Sequence, residues 1–105
     1  MDKKQSRISE SIREIVSQYL VENLPTNYGI VSITKVELIG DGSRAKVYFS
    51  VLPEENEGKV KEFLEQNKRE IRELVRKLRI KIIPELEFEP DKELKIMERL
   101  WEGNV

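Results

Sequence analysis

The chain contains no cysteine and no histidine. Disulfides, thiolate and imidazole metal sites, and the usual nucleophilic dyads and triads are therefore closed to it. Paired carboxylates are left, but 20 acidic residues on a small surface bring some pairs together without purpose, so no enzyme and no cofactor is expected. Apolar runs of membrane-spanning length are absent too, and the first residues, MDKKQSRISESIREIVSQYL, lack the apolar core of a signal peptide. A soluble, cytoplasmic protein that avoids membranes is the expectation. Prolines number only four, and Pro25, Pro53 and Pro84 each fall between segments of regular apolar spacing.

What is present suits one domain: 105 residues, 38% hydrophobic, enough for a single core. Ile8, Ile12, Ile15, Val16, Tyr19 and Leu20 recur at helical spacing after a candidate cap, Ser6, and Pro25 stops that helix beyond about Asn23. In IVSITKVELI the apolar phase changes between Val31, Ile33 and Val36, Leu38, which predicts a strand with a bulge near Lys35. Gly40, Asp41 and Gly42 read as a hairpin turn into RAKVYFSVL, with Ala45, Val47, Phe49 and Val51 on one face. Val60, Phe63, Leu64, Ile71, Leu74, Val75 and Leu78 then form a helical stripe that gives way around Ile80. After Pro84, Leu86 and Phe88 alternate with Glu85, Glu87 and Glu89 as a third strand. The order gives a two-layer α+β domain over residues 1–90, a three-stranded sheet covered on one face by helices. Residues 91–105, with Leu94, Met97, Leu100 and Trp101, read as a short terminal helix or a flexible tail.

Net charge is −1, which alone argues against a nucleic-acid partner, yet residues 59–81 hold nine basic and four acidic groups while residues 82–105 hold three and seven. On a helix turning roughly 100° per residue, Lys61, Lys68, Arg72, Arg76 and Arg79 fall in an arc of about 80°, beside the apolar stripe, with Glu65 intruding. Such an arc can neutralise phosphates, and guanidinium groups can bind them in bidentate fashion. It can equally be the solvated outer face of an amphipathic helix. Arg79 and Lys81 likewise suit either phosphate binding or the negative end of the helix dipole. Tyr48 is a lone aromatic, not a base-stacking platform, because Phe49 belongs to the covered face.

Taken in order, several segments resemble the ribosome-binding factor A family. Arg7, Ile8, Ile12 and Ile15 are similar to its N-terminal helix, VSITKVEL and AKVYFS to its first two strands, and Arg79, Lys81, Pro84, Glu85, Leu86, Phe88 and Asp91 to its basic run into P-E-L-x-F-x-x-D. The resemblance implies a type II KH-like domain, α-β-β-α-α-β, without enzymatic activity. It also implies association with the small (30S) ribosomal subunit and 16S rRNA during late maturation and rRNA processing, a part in cold adaptation, and ribosome-associated GTPases as further partners. A monomer is expected. The RNA-binding residues it suggests are Lys68, Arg69, Arg72, Arg76, Lys77, Arg79 and Lys81, with Arg7 and Lys61 as additional contacts. The family's Ala-x-Gly interhelical kink is replaced here by Gln66, Asn67 and Lys68, and Asn67 is the expected kink residue because asparagine tolerates the left-handed region. Only Pro25 represents the family's Asp-Pro-Arg loop. Charge reversal at Arg72 and Arg76 is expected to weaken binding and leave thermal unfolding nearly unchanged. The competing reading is a protein-interaction module that docks through the acidic third strand and the Trp101 tail.

Overall fold

The computed structural model describes residues 3–93; the expected terminal helix or tail lies, from residue 94 onward, outside the described residues. Helix α1 spans Lys3–Asn23, strand β1 Ile30–Ile39, strand β2 Arg44–Leu52, helix α2 Glu57–Gln66, helix α3 Lys68–Arg76 and strand β3 Glu85–Pro90. Helix α1 starts earlier than its apolar spacing suggests: no helix breaker lies between Lys3 and Ser6, so Ser6 sits inside the helix instead of capping it. Among the described residues no helix is long and apolar enough to cross a membrane.

Strand β2 is central, antiparallel to β1 and parallel to β3. A parallel neighbour requires a crossover, and α2 and α3 supply it. Register slips between Ile33 and Lys35, so the expected bulge is present, with Thr34 as the extra residue. Beyond it Val36 and Leu38 share the covered face with Val47 and Ala45. Helix α1 contributes Ile12, Val16, Tyr19 and Leu20 to the core, and the crossover helices contribute Val60, Leu64, Ile71 and Val75. These pack on Ile33, Ala45, Val47, Phe49, Val51, Leu86 and Phe88. Phe49 and Phe88 are buried almost completely, each stabilising the fold by about 1.5–3 kcal/mol.

Gly29 is a position that only glycine fills: φ is 96°, and a Cβ there would lie 2.3 Å from the Leu52 carbonyl oxygen. That close approach brings the start of β1 against the end of β2. At the bulge, Thr34 Oγ1 donates to Asp91 Oδ2 at 2.5 Å, and the Asp91 N–H donates to Phe49 O at 2.8 Å. Asp91 is buried, so its carboxylate depends on such donors. Thr34→Val should lower unfolding free energy by about 2 kcal/mol, read from the urea midpoint, because it leaves a buried carboxyl group short of a hydrogen bond. An unchanged midpoint would remove the bulge threonine from the account.

Candidate nucleic-acid interface

Lys68 and Arg72 lie on the side of α3 nearest β3, while Arg69 and Arg76 lie farther round, away from buried Ile71 and Val75. Their surroundings differ sharply. Arg72 is committed to the fold: its Nε donates to Pro84 O at 3.2 Å, one terminal nitrogen donates to Ile83 O at 3.1 Å, and Glu85 lies 3.6 Å away. The fork ties α3 to the segment that enters β3. The expectation that charge reversal at Arg72 spares stability is therefore corrected, since both carbonyls would lose their donor. Lys68 pairs with Glu65 at 2.8 Å and stands 5.8 Å over the Phe88 ring, and Arg76 reaches Glu73 only at 3.9 Å.

Arg69, Lys77, Arg79 and Lys81 are exposed, and their side chains make no ion pair or hydrogen bond among the described residues. Arg79 has φ 57°, the left-handed conformation usually taken by glycine just past a helix end. For arginine this costs about 1–2 kcal/mol. Its N–H donates to Arg76 O at 3.2 Å, and the turn swings residues 80–84 back toward Ser43, whose carbonyl accepts from the Glu85 N–H at 2.9 Å. Ile80, Lys81 and Ile82 thereby face Lys4, Gln5 and Ile8 of α1 across a shallow cleft of about 170 Å³. Arg7 sits on this same end of α1. Lys61 does not join it: with Lys35, Tyr48 and Pro90 it borders a hollow near the far end of β3. Sequence reasoning missed Lys4, because a helix started at Ser6 leaves that residue outside it.

The kink expected at Asn67 is present, but its conformation is not the expected one. Asn67 has φ −104° and ψ 9°, outside the left-handed region. The backbone keeps its helical bond there, with the Asn67 N–H donating to Phe63 O at 3.1 Å, and the side-chain Nδ2 donates to the same carbonyl at 2.8 Å. The Tyr19 hydroxyl of α1 donates to Glu70 Oε2 at 2.6 Å and lies 2.9 Å from Asn67 Oδ1, so its one proton is shared. This clamp fixes α1 against the junction and sets the direction of α3. Burial, then the hydrogen bond to Glu70 and that carboxylate's charge, pushes the Tyr19 hydroxyl up to about 12. A tyrosine in the unfolded chain ionises near pH 10, so with rising pH the unfolded state loses its proton first. Tyr19 therefore contributes stability that is intact below about pH 10 and lost as pH climbs through about 12. Tyr19→Phe should cost about 1 kcal/mol at neutral pH and show a shallower loss across that alkaline window, measured by urea unfolding. Parallel pH profiles for the two proteins would contradict the clamp.

On the uncovered sheet face Glu87 of β3 is matched by cations of β2. Arg44 grips Glu87 through contacts of 2.6 and 3.0 Å and holds its carboxyl below the usual carboxylate range, and Lys46 stands opposite Glu87 in the register. Tyr48 on this face lies under Lys35 Nζ, 4.7 Å from the ring centroid. Among the described residues no acidic cluster could hold a metal ion. Among the described residues, a positive end without ion pairs of its own is thus formed by Lys77 at the close of α3 and Arg79 and Lys81 in the loop after it. Chemically it can hold anions spaced along a chain, such as successive phosphates.

The family model described as ribosome-binding factor A matches residues 4–102. The chain is 35% identical over 97 residues to ribosome-binding factor A of Macrococcus caseolyticus, covering 90% of this chain and 85% of that one. It is also 35% identical over 103 residues to that of Carboxydothermus hydrogenoformans, covering 94% and 82%. The crystal structure of ribosome-binding factor A from Thermus thermophilus superposes with a TM-score of 0.70 at 21% identity, over 81% of this chain and 93% of that one. The fold is thus KH-like, a three-stranded sheet under three helices. The chain belongs to the ribosome-binding factor A family.

Proposed function

We propose that this protein binds the small (30S) ribosomal subunit through 16S rRNA and assists late rRNA processing and subunit maturation. The observation that supports this reading is the set of exposed cations whose side chains make no ion pair or hydrogen bond among the described residues, Arg69 at the start of α3 and Lys77, Arg79 and Lys81 around its end, with Lys81 facing Lys4 across the cleft. Phosphates are the ligand such a set fits, because each contact releases condensed counterions. Arg76 adds to the surface, Lys68 borders it, and Arg72 holds the loop that presents Arg79 and Lys81. Binding, not bond making, is the mechanism: affinity for one arrangement of immature rRNA raises the population of that arrangement. Release then follows when maturation, aided by ribosome-associated GTPases, removes the preferred state.

Sedimentation with purified subunits tests the reading. The protein should travel with small subunits and not with large ones, and immature particles should retain more of it than mature ones. Equal retention on large and small subunits would contradict it.

A further inference from the structure

The cleft between the start of α1, the hairpin turn at residues 40–43 and the loop before β3 joins three kinds of surface. Ile8, Leu38 and Ile80, each half-buried, give it an aliphatic lining, and Ile82 beside them is 37% exposed. Lys4 and Lys81 bring positive charge, and Lys81 makes no ion pair among the described residues. The acid in this lining is Asp41, held in place by its turn: the Gly42 N–H donates to Ile39 O at 3.1 Å, and the Ser43 N–H donates to Asp41 Oδ1 at 3.1 Å. Hydrogen bonds from the Ser43 side chain and backbone keep its carboxyl below the usual range, so it is an ionised acceptor at neutral pH. Gln5 Nε2 lies 3.5 Å from Gly40 O, which sets its carboxamide beside the same turn. At about 170 Å³ the cleft is smaller than the roughly 300–1,000 Å³ of pockets for drug-sized ligands, and it suits one ring system.

A carboxylate in a cationic surface works against a bare phosphate chain and helps only where it accepts hydrogen bonds from a base. Guanine is the base that sets two donors side by side on its pairing edge, N1–H and the exocyclic N2 amine. Adenine and cytosine put a ring acceptor next to their amine, and uracil flanks its N–H with two carbonyls, so each turns a lone pair toward a carboxylate. We propose that the cleft takes one unstacked guanine of single-stranded RNA, with N1–H and the N2 amine donating to Asp41 and the ring against the aliphatic lining. This rests on the rRNA-binding function proposed above and adds a base preference which that function does not require. Gln5 has a second carboxamide N–H to offer O6, and Lys4 and Lys81 meet the phosphates on either side of the base. An apolar side chain of a protein partner fits the lining alone. The exposed cations next to it, Lys77, Arg79 and Lys81, favour a polyanion instead.

The test uses the full chain and short fluorescent oligouridine RNAs with guanosine, inosine or uridine at the centre, read by anisotropy. The guanosine RNA should bind roughly tenfold tighter than the uridine RNA, and inosine, which lacks the N2 amine, should lose part of that advantage. Guanosine should shift the backbone amide resonances of Gly42, Lys81 and Ile82 where uridine does not. Asp41→Asn keeps an oxygen for the Ser43 N–H, so the turn and the melting temperature should hold. It should abolish the guanosine advantage while the uridine RNA binds as well as before or better, since a charge that repels phosphates is gone. The proposal is overturned if guanosine and uridine RNAs bind alike, if Asp41→Asn keeps the preference, if the shifted amides lie elsewhere, or if a leucine-bearing peptide shifts them and guanosine does not. Small-subunit sedimentation of the parent separates the two readings: a protein that sediments with small subunits and ignores guanosine loses this inference alone, and one that does not sediment loses the function on which it rests.

Discussion

Replacing Arg72 by alanine should lower the melting temperature by roughly 10 °C, the shift that about 2 kcal/mol produces in a domain of this size. Each of its two bonds ends on a backbone carbonyl of the loop before β3, and a charged donor to such a group contributes about 1.5–3 kcal/mol. Partial exposure of Arg72 lets water replace some of that, which places the estimate toward the lower bound. Arg72→Lys should recover only part of the loss, because an ammonium on a flexible stem cannot span both carbonyls as a planar fork does. Arg76 is the internal control. It is 61% exposed and its 3.9 Å pair with Glu73 is weak, so Arg76→Ala should leave the melt within about 0.5 kcal/mol of the parent. Calorimetry or circular dichroism decides the matter, and equal melts for Arg72→Ala and Arg76→Ala would sink the assignment.

The second large effect is on binding. Alanine at Arg69, Lys77, Arg79 and Lys81 together should reduce affinity for small subunits by roughly a hundredfold at moderate salt, with unfolding barely changed, because none of these side chains is engaged within the described fold. Arg79 offers a sharper form of this prediction. Arg79→Gly relieves a left-handed residue and should raise stability by about 1 kcal/mol while removing a phosphate contact. Stability and binding then move in opposite directions, an outcome that misfolding cannot mimic. Arg79→Gly that is less stable than the parent would overturn the assignment of strain.

Much of the sheet could be read from the chain because local chemistry and tertiary structure agree. The change of apolar phase between Ile33 and Val36 could only be a bulge if both halves of β1 face one core. Gly40 and Gly42 do adopt positive φ in the hairpin turn. What could not be read are contacts whose partners carry no sequence signal. Arg72 bonds to carbonyls 11 and 12 residues ahead, and any residue has a carbonyl. The left-handed residue is Arg79, not Asn67, because Asn67 finds a partner in the Phe63 carbonyl without inverting its backbone. Tyr19 passes for another core aromatic in the α1 stripe, and only the fold brings Glu70 and Asn67 to its hydroxyl. The basic arc was visible as a charge pattern, but its division into a structural Arg72 and free cations beyond it depends on where the loop before β3 returns.

That division is the central claim, and a salt series on small-subunit association tests it most directly. For the parent protein, the logarithm of the association constant should fall linearly with the logarithm of salt concentration. With alanine at Arg69, Lys77, Arg79 and Lys81 the slope should flatten by about 0.7–0.9 for each phosphate no longer neutralised, close to three in total. The Glu87→Gln protein, changed on the opposite sheet face, should keep the parent slope. A parent slope retained by the fourfold alanine variant would contradict the account.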